Sequence, residues 1–248
     1  MSSSRYEERF YRRFVTASDL NAYTLVVKET DLHIMTRGVW LKEAREIVIR
    51  LRHQVELAIE DTPEFLHSLK PIDVKDTAPP IVHVMAEAAR LADVGPMAAV
   101  AGAISQMLGE ALAAYSDETV IENGGDIYAR SFHPLTVGIY AGKSPLSGRV
   151  GIRIKAETMP AGLCTSSGTV GHSLSFGQAD AVAILAANAA LADAAATAVG
   201  NVVCRAEDLQ KGLDRAREIS GVEGVLIIFG GNLGAWGEVE LVETRGLQ

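Results

Sequence analysis

The chain has 248 residues, 48% apolar and 22% charged, the composition of a globular protein long enough to bury a core without disulfide or metal staples. Its 23 basic and 31 acidic residues give a net charge of −8, and no basic run exceeds the Arg12-Arg13 pair. Sequence-independent binding to nucleic acid or to an anionic membrane therefore lacks its electrostatic driver. The first ten residues interleave charges where a secretory signal needs an apolar stretch, and only two cysteines occur, Cys164 and Cys204, so the expectation is a cytoplasmic protein.

In chain order, Phe10 to Val15, then Tyr23-Leu25-Val27 and Leu32-Ile34, alternate with period two and read as antiparallel strands, the last two joined by the polar turn Lys28 to Asp31. From Trp40 to Glu60, Leu41, Ala44, Val48, Leu51, Val55 and Ala58 recur at helical spacing. After Pro63, Pro71 and Pro79-Pro80, the pattern predicts a helix over Ile81 to Asp93. Pro96 then opens a second one running to about Tyr115. Strands follow at Glu118 to Ile121, Ile127 to Ser131 and Leu135 to Tyr140.

The order then repeats. Val150-Ile152-Ile154 and the segment around Leu163 read as strands, followed by helices from about Gly177 to Gly200 and from Glu207 to Ser220, with Gly221 as a C-cap. Val225 to Phe229 and Glu238 to Val242 read as strands flanking a Gly230 to Gly234 turn. The apolar segments Pro96 to Tyr115 and Ala179 to Gly200 are mostly alanine and glycine, broken by Gln106, Glu110, Asn188 and Asp193. They read as buried helices and not as membrane spans. The pattern predicts an α+β fold, a mainly antiparallel sheet with paired helices on one face. It also predicts one compact domain over 1–248, built of two pseudo-repeat halves at about 10–142 and 149–243.

Three polar stretches carry candidate chemistry. Asn123-Gly124-Gly125-Asp126 lies between two strands and reads as a hairpin turn; its glycines also leave backbone N–H groups bare to a ligand, with Asp126 beside them. Thr165-Ser166-Ser167-Gly168 precedes His172, and its place upstream of the predicted helix suggests an anion site at a helix N-terminus, against the plainer reading of an N-capping loop. Asp193 and Thr197, four apart on the Ala-rich helix, put a carboxylate and a hydroxyl on one face, a donor pair suited to Mg²⁺. The alternatives are that Asp193 caps another backbone segment or pairs with an Arg, or that Asp180 is the functional carboxylate. Gly142-Lys143-Ser144 lacks the upstream glycine of a phosphate-binding loop and reads as a surface turn. The six histidines and two cysteines show no zinc-ligand spacing.

Asn123-Gly124-Gly125-Asp126, Thr165-Ser166-Ser167-Gly168 and Ala192-Asp193-Ala194-Ala195-Ala196-Thr197, in this order, resemble the motifs of the ApbE-like family, most closely its short, poorly characterised branch. The resemblance implies a duplicated T-fold and a flavin site (FAD or FMN) lined by Asn123, Gly124, Gly125, Asp126, Thr165, Ser166, Ser167 and Gly168. It also implies Mg²⁺ held by Asp193 and Thr197, with Asp193 and His172 in catalysis. The implied activity is transfer of FMN from FAD to a protein acceptor, or hydrolysis of FAD to FMN and AMP. The segment Gly171 to Gly177 departs from the Asp-Pro pattern of the transferases. The other expectations are a small-anion or metabolite-binding protein on the same fold, and a structural subunit of a homo-oligomer.

Overall fold

The computed structural model describes residues 15–16, 20–168 and 177–244. In chain order, β1 (Val15–Thr16), β2 (Asn21–Val27) and β3 (Thr30–Thr36) precede α1 (Leu41–Asp61), α2 (Glu64–His67) and α3 (Pro80–Ala92). A 3₁₀ turn over Pro96–Ala99 leads into α4 (Val100–Leu112), then β4 (Thr119–Asn123), β5 (Asp126–Arg130), β6 (Leu135–Gly138) and β7 (Val150–Ile154). The chain continues with β8 (Ala161–Ser166), β9 (Ala181–Ala186), α5 (Ala189–Gly200), α6 (Leu209–Glu218), β10 (Val222–Phe229), β11 (Asn232–Gly237) and β12 (Glu240–Glu243).

Eight of the strands form one sheet in the order β11-β10-β9-β8-β5-β4-β3-β2, every neighbouring pair antiparallel. Two strands, a helical segment and two strands make up each side of it, and the sides meet where β5 pairs β8, through Asp126↔Cys164, Ile127↔Leu163, Tyr128↔Gly162 and Ala129↔Ala161. This is the predicted α+β duplication. Strand alternation divides the buried side chains into two layers. Leu32, Ile34, Ile121, Tyr128, Cys164, Val182, Ile184, Val225 and Ile227 face the helices. On the other face Met35, Val120, Ile127, Leu163, Leu185, Leu226 and Ile228 pack against Leu135, Val137, Ile152 and Ile154, which belong to a second, four-stranded sheet in the order β1-β6-β7-β12.

Four expectations change. The predicted helix over 177–200 is a strand, β9, followed by a helix, α5. The run Ala181–Ala186 is buried on both faces, so it carries no alternation, and a continuous apolar run of six residues has no periodicity to separate it from a buried helix. Asn188 marks the break: its Oδ1 accepts the Leu191 N–H at 2.8 Å and caps α5. The strands at Leu135–Gly138, Val150–Ile154 and Glu240–Glu243 leave the main sheet for the second one, because both faces of the main sheet are apolar and need covering. The turn expected over Gly230 to Gly234 is confined to Gly230-Gly231, and β11 begins directly after it. Finally, the end of β8 at Thr165 and Ser166 is followed in chain order by β9 and not by a helix, and residues 169–176 of that stretch lie outside the described residues. Among the described residues no single helix is long and apolar enough to cross a membrane.

One buried charge fastens the turn from α4 into β4. Glu118, with its side chain 2% exposed, accepts the Ser131 hydroxyl at 2.6 Å and the Phe132 N–H at 2.9 Å, and pairs with the Arg37 guanidinium. Ser116 donates to the Glu118 carbonyl and accepts the Arg37 N–H at 2.9 Å. Burial pushes the Glu118 carboxyl up, but the bonds from Ser131, Phe132 and Arg37 outweigh it and hold the group below its ordinary 4.5. A carboxyl depressed in the folded state stabilises the protein above its unfolded pKa, and that contribution is lost as the pH falls through the folded value. Urea unfolding between pH 7 and pH 3 is expected to show stability falling below about pH 4.5, with a shallower fall for Glu118→Gln; Glu118→Ala should cost about 2–3 kcal/mol at pH 7.

Candidate functional site

The hairpin between β4 and β5 turns on Gly124 and Gly125, whose φ angles of 71° and 107° are the positive values that a tight two-residue connection demands. Its reading as a turn is correct. The Gly125 N–H donates to Glu122 Oε1 at 2.9 Å, and the Thr165 N–H donates to the Gly125 carbonyl at 3.2 Å, which ties the hairpin to the end of β8. Asp126 stands opposite Cys164 in the ladder, so the first and second polar stretches are neighbours in the sheet although about forty residues of sequence separate them.

On the helix face these strand ends meet the first turn of α4. Asn123 Nδ2 donates to the Ala101 carbonyl at 3.2 Å. The Ser105 hydroxyl, 0% exposed, lies 3.0 Å from the Ala101 carbonyl and 3.1 Å from the Asp126 carbonyl and bridges the two. Cys164 Sγ donates to the Ala189 carbonyl at 3.3 Å. Its thiol is pushed well above the usual range, first by burial and then by the Asp126 and Asp193 carboxylates, so it stays protonated and acts as a donor and not as a nucleophile.

Asp193 completes the cluster from α5. Its Oδ2 accepts the Gly102 N–H at 2.9 Å across 91 residues of sequence, and the Ala101 N–H also bonds the carboxylate. The group thus caps the N-terminus of α4, where unpaired N–H groups and the helix dipole favour negative charge. Burial nevertheless dominates and pushes its pKa up to about 7 against the pull of Gly102 and Ala101. Thr197 lies one turn further along α5 and is partly exposed. Asp180 sits elsewhere: its Oδ2 accepts the Gly230 N–H at 2.6 Å and fastens the β10–β11 turn.

Of the sequence-predicted residues, Asn123, Asp126 and Asp193 bond the first two turns of α4, whereas Thr165 is joined to them through the Gly125 carbonyl and stands opposite Ala183, on the face of the sheet away from the helices. Ser166 ends β8, and Ser167 and Gly168 follow it. The Gly168 N–H donates to the Ala179 carbonyl at 2.9 Å, and a Cβ on Gly168 would stand 2.3 Å from the Gly177 carbonyl oxygen. His172 lies outside the described residues. Sequence reasoning missed Gly102, Ser105 and Cys164. The available signal was the small-residue run Ala101-Gly102-Ala103 with Ser105 in a predicted buried helix, which permits another backbone to approach. Among the described residues no group of three or more His, Cys, Asp or Glu side chains is arranged to hold a metal, so a cation here would depend on ligand oxygens.

The fold, a large antiparallel sheet with helices on one face, is shared with solved ApbE proteins. The ApbE protein of Thermotoga maritima superposes with a TM-score of 0.58 at 13% identity, covering 87% of this chain and 96% of that one. The flavinyl transferase ApbE of Pseudomonas stutzeri superposes with a TM-score of 0.59 at 12% identity, covering 88% and 94%. These likenesses establish the fold. Residues 12–238 match the family described as AbpE bacteria, and the chain belongs to that ApbE-like family. Its relatives include the UPF0280 protein of Methanocaldococcus jannaschii, 44% identical over 229 residues and covering 89% of this chain and 92% of the relative. Another is a UPF0280 protein of Methanothermobacter thermautotrophicus, 45% identical over 186 residues and covering 73% and 72%.

The capping role of Asp193 has a direct consequence. Asp193→Ala removes the acceptor from the first turn of α4 and should cost about 1–2 kcal/mol in urea unfolding at pH 7. Asp193→Asn keeps an acceptor oxygen and removes a charge that burial disfavours, so it should lie within about 0.5 kcal/mol of the native chain.

Proposed function

We propose that this protein binds a flavin nucleotide against the β4–β5 hairpin and the end of β8, and with Mg²⁺ splits FAD, passing FMN to a protein acceptor or to water. The observation that carries this reading is the convergence of Asn123, Asp126 and Asp193, from two separate segments, on the first two turns of α4, with the Thr165 N–H tied to the adjoining hairpin. Family membership and the flavin transferases among its structural neighbours point the same way.

Asn123, Gly124, Gly125 and Asp126 would line the flavin, with Thr165, Ser166, Ser167 and Gly168 offering hydroxyls and backbone N–H groups to it. Asp193 and Thr197 fit Mg²⁺ in the manner usual for that ion, one carboxylate and one hydroxyl with the remaining places filled by phosphate oxygens and water. Bound there, the cation supplies neutralisation of the charge that builds on a pyrophosphate during cleavage. The bonds from Gly102 and Ala101 hold the Asp193 carboxylate in place before any ligand arrives. His172 is placed in catalysis by the resemblance alone.

A second reading is favoured by the same carboxylate. Asp193 is already committed to the α4 backbone, and a protein that kept this cap for stability while losing the chemistry would bind a small anionic metabolite without turning it over. Incubation of the purified chain with FAD and Mg²⁺ separates the two. The transferase or hydrolase reading expects bound flavin together with FMN and AMP; a non-flavin ligand carried through purification and identified by mass spectrometry supports the second, and absence of bound flavin, FMN and AMP sinks the first. In the same assay Asp193→Ala should abolish the Mg²⁺ response and Asp180→Ala should leave it intact.

A further inference from the structure

We infer that Gly102 is a positioning residue of the proposed nucleotide site, its bare Cα allowing α5 to close on α4 until the Gly102 N–H holds the Asp193 carboxylate. The inference rests on the function proposed above and deepens it by naming what sets the position of Asp193.

The geometry leaves no room for a side chain. A Cβ built on Gly102 would stand 2.2 Å from the Ala189 carbonyl oxygen, 2.7 Å from the Ala189 carbonyl carbon and 2.8 Å from Asp193 Cβ. The first two are backbone atoms of α5, so no rotamer change relieves the overlap. Nor can α5 retreat. A Cβ on Gly162 of β8 would meet Ala189 Cα at 2.4 Å from the other side, and the Ala189 carbonyl is bonded by Cys164 Sγ at 3.3 Å. The first turn of α5 is therefore clamped between two glycines, Gly102 on α4 and Gly162 in the sheet.

It follows that a side chain at 102 must displace the start of α4 itself. The same displacement carries the Gly102 N–H away from Asp193 and the Ala101 carbonyl away from Asn123 and Ser105. Both the carboxylate and the hairpin would lose their reference point. Gly109, two turns later on the same helix, offers a comparison: its Cβ would meet the Tyr128 ring, a side chain of β5, at 2.3 Å, with no atom of α5 or of Asp193 among its nearest neighbours.

The test uses the full chain, Mn²⁺ as a spectroscopic stand-in for Mg²⁺, and FAD. Gly102→Ala and Gly109→Ala should both lower the urea midpoint, but only Gly102→Ala should weaken Mn²⁺ binding, read from the free-ion electron paramagnetic resonance signal in the presence of FAD, by about ten- to a hundredfold. Equal Mn²⁺ affinity in Gly102→Ala and the native chain, or equal losses in the two variants, overturns the inference. Should Gly102→Ala fail to fold, the ¹⁵N-glycine spectrum of the folded Asp193→Asn chain decides. A shifted Gly102 amide relative to the native chain supports the contact, and an unmoved one overturns it. A native chain that takes up neither Mn²⁺ nor FAD defeats the proposed function, while the Gly102 amide shift still judges the positioning contact by itself.

Discussion

The close approach of α4 to α5 is the constraint from which the rest of the candidate site follows. Two helix backbones can come this near only where one of them lacks a side chain, and Gly102 supplies that position against Ala189. Nearness brings the carboxylate of Asp193 within reach of backbone N–H groups that would otherwise be unpaired at the start of α4. It also places the Ala101 carbonyl where Asn123 and Ser105 both bond it. A single turn of helix thus sets the positions of a hairpin, a strand end and an acidic residue from distant parts of the chain.

Burial and hydrogen bonding act on Asp193 in opposite directions, and burial wins, leaving the carboxyl near neutrality in its titration. Glu118 shows the reverse balance. There burial is outweighed because Ser131, Phe132 and Arg37 all donate to one carboxylate, one of them a full positive charge. The contrast separates a fully buried acid, Glu118, from a half-buried one, Asp193. Glu118 is fastened by three donors at the α4–β4 turn, whereas among the described residues the bonds that lower the Asp193 carboxyl come from the Gly102 and Ala101 backbone.

Most of the main sheet was legible from the sequence because its elements have distinct periods. Leu41 to Ala58 could only be a helix, and Asn123 to Asp126 between two apolar runs could only be a tight turn. The failures share a cause, the loss of contrast between faces. Ala181–Ala186 is apolar on both sides, so nothing in its pattern separated it from α5. β11, Asn-Leu-Gly-Ala-Trp-Gly, is an edge strand whose glycines and asparagine read as turn. The second sheet was invisible because its strands look like any others, and only the apolar far face of the main sheet explains where they go. In the cluster at the start of α4, Asn123, Asp126 and Asp193 were singled out from the sequence, and Gly102 and Ser105 were not. Gly102 has no functional group to notice, and the hydroxyl of Ser105 gains its meaning only from the hairpin carbonyl that folding brings to it.

Among the described residues the β5–β8 ladder, four residue pairs long, joins the first and second sides of the large sheet, and Asp126 and Cys164 form its terminal pair. The site therefore straddles the join. Under the function proposed above, a nucleotide seated there would touch Asn123 and Asp126 from one side and Asp193 from the other, and so would engage both sides at once. Its binding energy is then also cohesive energy of the sheet, added to the folded state as RT ln(1 + [L]/Kd). Occupancy and the integrity of the join would then be a single thermodynamic variable, and a bound ligand would show itself in the cooperativity with which the two sides come apart.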